Sequence, residues 1–332
     1  MIMALTITFT MIRPISRMLM SVMLMFVSLM AQSHGVPKAP PPIPLDEVMQ
    51  AFGWDPVGTQ IKVQTLNDNL HVLFGMGGNI AVSIGDDGVL VVDDQFPALM
   101  PKIKAAIKDL GGEQVDFAIN THWHFDHADG NQTLGPEGTW IVSQANSRRM
   151  MLSDHIVNLV ALTYEQKAYP EDALPTMTFD DTMQFHLNGE KIELMHFGPA
   201  HTTGDAAVIF RTSNAVHLGD VFNNAGYPFI DADNGGSLDG IIKFCADTLA
   251  IISHDTIVIP GHGPVTDYQT LSDYIDMLSA VRARMTALID KGASLEDVFA
   301  ADVSKEWDAH YGDNQRFINR AYLSLTRRAL AH

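Results

Sequence analysis

The sequence predicts an α+β fold, two β-sheets packed face to face with helices on their outer faces, and three observations lead to it. Short apolar runs of strand length fall into two groups along the chain. Each group is followed by stretches of helical periodicity, the order that suits a sandwich with helices outside. Several of the apolar runs end directly on His or Asp, which puts polar chemistry at the ends of core strands.

Taken in order, Gln60–Phe74 and Ile80–Ile84 read as strands separated by the Gly75-Met76-Gly77-Gly78 turn, a candidate flap over a substrate. Val89–Val92 is a continuous apolar run between Gly88 and Asp93, the pattern of a buried strand. In Ala98–Leu110, the residues Leu99, Ile103, Ala106, Ile107 and Leu110 share one helical face, and Gly111-Gly112 stops the helix. Val115–Asn120 is another buried strand and delivers the chain to His122. Further strands are expected at Thr139–Ser143, Thr182–Leu187, Lys191–His196, Ala206–Arg211 and Ala215–Leu218. A helix over Leu238–Ile252 leads to a last strand, Thr256–Pro260, ending at Gly261-His262-Gly263. A long helix, Asp267–Asp290, follows. Residues 293–332 read as a helical C-terminal extension, Leu295–Ala300 and Asn314–Leu330, packed on the same domain.

With 332 residues and 46% hydrophobic content, the chain can bury one large domain or two small ones. A formal charge of −18 without a basic run excludes a nucleic-acid surface. The lone Cys245 excludes a disulfide framework and a Cys-rich zinc module. At the N-terminus, Arg13 and Arg17 precede the uncharged apolar stretch Met18–Met30, and Ala31-Gln32-Ser33 places small residues where a signal peptidase cuts. Residues 1–33 are therefore expected to be a cleavable signal peptide, with Met11 the more natural start and a mature chain beginning near His34. The apolar stretch is too short for a permanent span, so the mature protein is expected to be exported, to the periplasm, without stable membrane insertion. Residues 34–59 are expected to be an extended linker, since VPKAPPPIP over 36–44 is stiff and does not fold. Residues 60–292 form the main domain.

The chemistry concentrates in His122-Trp123-His124-Phe125-Asp126-His127. Imidazole and carboxylate are the donors that suit zinc where thiolates are lacking. His122 and His124 share a side if the chain leaves its strand extended, and Asp126 and His127 can then aim at a second point nearby. One segment can seed two adjacent metal sites. His201, Asp220 and His262 each follow an apolar strand and offer further donors. Asp93 or Asp94, at the end of Val89–Val92, and Asp205, beside His201, are candidates to orient a ligand rather than to hold metal. His71, His155, His186, His196, His217, His254, His310 and His332 lack ligand spacing and read as structural or exposed.

This ordered set, a strand ending at Asp93, then His122-x-His124-x-Asp126-His127, His201, Asp220 and Gly-His262-Gly, resembles the metallo-β-lactamase superfamily of metallo-hydrolases. The resemblance spans roughly residues 60–290. It implies an αββα four-layer sandwich with a dinuclear centre at one edge of the two sheets. It further implies two Zn(2+) per chain, the first held by His122, His124 and His201 and the second by Asp126, His127 and His262, with Asp220 bridging. Two such ions can lower the pKa of a shared water, with Asp126 and Asp220 as the catalytic carboxylates that orient it and move its proton.

The expected reaction is hydrolysis of a small-molecule cyclic amide or ester, of β-lactam or lactone type. An acyclic ester or thioester is the alternative, favoured by Asp220 where some β-lactamases carry cysteine or serine. An iron-containing redox or sulfur enzyme, or a non-catalytic metal-binding protein, is the alternative of another class. Trp123 and Phe125 suggest an apolar mouth, and Asn223 to Tyr227 are candidate oxyanion donors. Oligomeric state is not readable from the sequence.

Overall fold

The computed structural model describes residues 38–329; the expected signal segment 1–33 and the first residues of the expected linker lie outside them. The strands are β1 Pro42–Ile43, β2 Lys62–Thr65, β3 Leu70–Phe74, β4 Ile80–Gly85, β5 Gly88–Val92, β6 Phe117–Asn120, β7 Trp140–Gln144 and β8 His155–Asn158. They continue with β9 Thr163–Gln166, β10 Met177–Phe179, β11 Thr182–Leu187, β12 Glu190–Met195, β13 Ala207–Phe210, β14 Ala215–His217, β15 Ile257–Ile259 and β16 Thr266–Asp267. A seven-stranded sheet runs β10-β7-β6-β5-β4-β3-β2, a six-stranded sheet runs β11-β12-β13-β14-β15-β16, and β1-β9-β8 form a small third sheet.

The two large sheets face each other across a core of Val72, Leu90, Val92, Ile119 and Val142 from one side and Leu194, Val208, Phe210 and Ile259 from the other. On the outer face of the first sheet, Val82, Val89 and Val91 pack with Ile103 and Ile107 of the helix Met100–Asp109. On the outer face of the second, Ile209, Val216 and Val258 pack with helices Leu238–Leu249, Tyr268–Ile289, Leu295–Ala300 and Gln315–Ala329. The architecture is the αββα sandwich, with the C-terminal helices completing one outer layer. Strands covered on both faces are apolar throughout, which is why β5 and β6 read as continuous apolar runs.

Strand direction fixes where the site sits. β5, β6 and β7 are mutually parallel, so Asp93 and His122 emerge at the same edge. In the second sheet β14 and β15 are parallel, and Asp220 and His262 follow their ends. β13 is antiparallel to β14, so the loop before it, which holds His201, reaches the same edge.

Two expectations are corrected. Gln60–Phe74 is two strands, because Asn67 Oδ1 accepts the backbone N–H groups of Asn69 and Leu70 at 3.0 and 2.9 Å and turns the chain. The described part of the expected linker is structured: β1 pairs with β9, and Leu45–Ala51 is a helix. Leu45, Val48, Met49 and Phe52 recur at helical spacing and pack onto the first outer core, an apolar stripe that the adjoining prolines masked. No helix among the described residues is long and apolar enough to cross a membrane.

Candidate metal centre

Each donor is delivered by a different local device. β6 ends at Asn120, the chain bends at Thr121 and His122, and His124, itself extended (φ −65°, ψ 148°), caps the short helix Phe125–Ala128 carrying Asp126 and His127. A bend followed by a helical turn points the two halves of this segment at two places. His201 sits in a loop braced by Asp205, whose carboxylate accepts the N–H groups of Ala200 and Thr202 and the Thr202 hydroxyl. Asp220 lies in a single 3-10 turn, Gly219–Val221, directly after β14. The turn bearing His262 is clamped by Asn79, whose Nδ2 donates to the carbonyls of Pro260 and Gly263 at 2.9 and 2.8 Å.

The structure brings all seven expected residues together. Their ligand atoms close into three overlapping groups, each within 4.8 Å: His122, His124 and His201; Asp126, His127 and His262; and His122, His127 and Asp220. His201 Nε2 stands 2.9 Å from His124 Nδ1, and His127 Nε2 stands 3.2 Å from His262 Nε2. Donors around a tetrahedral zinc, at about 2.0–2.1 Å from it, are separated by about 3.3 Å, so these spacings suit a shared cation. Asp220 lies between the groups, with Oδ1 3.1 Å from His127 Nε2 and 3.4 Å from His262 Nε2, and Oδ2 3.8 Å from His201 Nε2. His122 Nε2 and Asp220 Oδ1 are buried yet make no hydrogen bond of acceptable geometry. Orphaned buried polar atoms are costly, and a divalent cation at the common point would satisfy both. The donor set fits such a metal.

The ring nitrogens that face away from the centre are held in turn. His124 Nε2 donates to Asp231 Oδ2 at 3.0 Å, and His127 Nδ1 donates to Asp93 Oδ2 at 2.7 Å. His201 Nδ1 donates to the Phe229 carbonyl at 2.8 Å. His122 Nδ1 donates to Thr121 Oγ1, whose hydroxyl donates to Asp93. These bonds fix the tautomers so that each remaining nitrogen presents a lone pair inward. Asp93 is thus an orienting residue, and it holds a left-handed backbone (φ 64°) to be one. Asp94 instead joins the buried amide pair Asn120 and Asn131. Asp231 and Thr121 were not singled out in the sequence. Asp231 lies in a loop far along the chain from His124, and no local pattern marks it.

Electrostatics separates the two groups. Burial pushes His122 well below its ordinary value, aided by the neighbouring rings of His127, His201 and His124, and burial with His124 lowers His201. Burial would also lower His127 and His262, but the carboxylates outweigh it. Asp220, Asp126 and Asp93 hold His127 well above the usual range, and Asp220 and Asp126 lift His262 to about 9. Burial opposes ionisation of Asp126 and Asp220 too, and His127 and His262 overcome it and keep both carboxylates low. Without a cation, His122 and His201 are neutral imidazoles, whereas His127 and His262 carry protons.

The centre forms the floor of a cavity of about 340 Å³ walled by Phe52, Trp54, Phe125, Val157, Leu159 and Phe229, with Asn223, Ala225, Tyr227 and Arg316 at its sides. The apolar mouth is present, although Trp123 is not part of it: its ring packs behind His124. The Gly75–Gly78 turn is not a flap. A Cβ on Gly78 would meet His127 ring atoms at 2.2 Å, and Gly78 N–H donates to the Asp126 carbonyl at 2.9 Å, so the turn is packed beneath the helix that carries these ligands. Among the candidate oxyanion donors, the Tyr227 hydroxyl is engaged by Asp308 at 2.8 Å and the Asn224 amide by Pro264. His196 Nδ1 donates to the Asp205 carbonyl and His217 Nε2 to the Asn79 carbonyl, structural roles as expected. Cys245 is buried in the second outer core.

A family model described as the metallo-beta-lactamase superfamily matches residues 73–270. The chain is 26% identical over 191 residues to "Probable metallo-hydrolase YqgX" of Bacillus subtilis (strain 168), covering 55% of this chain and 87% of that protein. A metallo-beta-lactamase from Pontibacter korlensis superposes with a TM-score of 0.53 at 16% identity, over 66% of this chain and 99% of that one. The sec-alkylsulfatase Pisa1 from Pseudomonas sp. superposes with a TM-score of 0.61 at 13% identity, over 79% of this chain and 50% of that one. At these identities the solved structures speak to the fold alone.

Proposed function

The chain belongs to the metallo-beta-lactamase superfamily and is a metal-dependent hydrolase, and from that premise we propose that it holds two zinc ions and cleaves a cyclic amide or ester of β-lactam or lactone type. The observation that carries this reading is the pair of three-donor groups with Asp220 between them, on the floor of an apolar-walled cavity sized for a small molecule. His122, His124 and His201 would hold one ion, and Asp126, His127 and His262 the other, with Asp220 shared. When bound, the ions supply Lewis acidity and a water that ionises near neutral pH.

The chain's own residues supply the rest. Asp126 and Asp220 are the carboxylates of the cluster open to the cavity, with side-chain exposures of 12 and 14%. They are the groups that an entering water meets, and they can orient it, take its proton at an Oδ and return that proton to the leaving atom. Phe52, Trp54, Phe125 and Phe229 exclude bulk water and strengthen each of these polar contacts. Acyclic ester or thioester hydrolysis is the second reading, favoured by a carboxylate rather than a thiolate at position 220. The N-terminal segment supports export and signal removal. Turnover of a panel of β-lactams, lactones, aryl esters and thioesters by the zinc-loaded protein tests the reading. Hydrolysis of the cyclic substrates, abolished by chelation, is expected, whereas activity on thioesters alone would favour the second reading.

A further inference from the structure

One wall of the cavity is cationic, and it comes from beyond the segment that the family model covers. Arg316 opens the helix Gln315–Ala329 and lines the cavity with Asp126, Asp220 and His262. Its guanidinium carbon lies 5.3 Å from the centroid of the Phe52 ring. Among the described residues it forms no ion pair and donates no side-chain hydrogen bond. Every other arginine whose side chain is described donates at least one, including Arg320 and Arg327 on the same helix, which share Asp233. Asp126 and Asp313 attract Arg316 only through space.

A guanidinium offers five donors in a planar fork that matches a carboxylate, and partial burial without a partner is costly. The aromatic walls leave room for an apolar body beside it. We propose that Arg316 is a specificity-determining residue that receives a carboxylate on the substrate. The substrate's apolar part lies against Phe52, Trp54 and Phe229, and its scissile bond reaches Asp126 and Asp220. The identity of the reacting end rests on the hydrolase reading above; the recognition of the anion does not. Selectivity for a charged amphiphile is thus built in part from Phe52 and Trp54, just after the helix Leu45–Ala51, and from Arg316 in the C-terminal extension, all outside the matched segment.

The test uses 4-phenylbutyrate and its neutral counterpart 4-phenylbutyramide, titrated calorimetrically into the full-length protein. Chelator-treated protein is used so that the carboxylate has no metal to bind. Wild type is expected to bind the carboxylate about tenfold more tightly than the amide. Arg316→Gln should erase that preference, and Arg316→Lys should keep part of it, since the charge remains and the fork is lost. With zinc restored, the ratio of kcat/KM for a carboxylate-bearing lactone over its methyl ester should fall about tenfold in Arg316→Gln. Equal affinity of wild type for the two probes, or an undiminished preference in Arg316→Gln, would overturn the proposal, and the wild-type comparison decides even if the variant does not fold. A carboxylate preference lost in Arg316→Gln, in a protein that turns over no panel substrate, would support Arg316 and count against the hydrolase reading alone.

Discussion

Among single residues, Asp220 has the most demanding position, since its oxygens face His127, His262 and His201 at once. Asp220→Ala should lower kcat by at least about a hundredfold, whereas Cys245→Ser, buried away from the centre, should cost at most ~1–2 kcal/mol of stability and leave turnover nearly intact. Loss of zinc from the Cys245 variant with full activity in the Asp220 variant would reverse that assignment. Asp231→Ala should weaken the first ion about 10–100-fold by releasing the His124 ring, measured by chelator competition. The same titration across pH separates the groups. His262, lifted to about 9, and His127 carry protons that a cation must displace, so affinity at the second group should rise by up to about tenfold per pH unit per proton from pH 7 to 9. His122 and His201 sit below their ordinary values and are already neutral there, so the first group should stay nearly flat. Identical pH slopes for both equivalents would contradict this.

The elements explain what was legible in the sequence. Strands buried on both faces announce themselves as apolar runs, and a ligand just past such a run inherits the rigidity of the sheet. For that reason β5, β6, β14 and β15 and the donors beyond them could be placed from the sequence. Asp231 and Asn79 could not, because each steadies a ligand or the turn that bears it from a distant part of the chain, through hydrogen bonds that leave no periodicity. The helix Leu45–Ala51 and the strands β8 and β9 were also hidden, the first behind prolines and the others because His155–Asn158 and Thr163–Gln166 are largely polar and form no apolar run. The glycine turn was misread because flexibility in sequence became close packing in space. Gly78→Ala should push the His127 ring aside and cost the second ion while the far-ultraviolet circular dichroism is retained. A variant that binds both ions like wild type would show that the turn can yield.

At the scale of the whole molecule, the centre exists only where the edges of the two sheets meet, since His122, His124, Asp126 and His127 follow the first sheet and His201, Asp220 and His262 belong to the second. A cation bound there binds the folded state alone, so zinc should raise the melting temperature in proportion to the logarithm of its concentration. The proposed export adds an independent check: intact-mass measurement of the mature protein should find residues 1–33 removed, and a membrane-bound product retaining Met18–Met30 would contradict export by signal cleavage. The central claim, that seven donors from two sheets hold a dinuclear hydrolytic centre, is tested most directly by elemental analysis of the purified protein alongside chelation. The account predicts close to two zinc equivalents per chain, with activity lost as they are removed and regained as they return. One tightly bound iron and no zinc would contradict it.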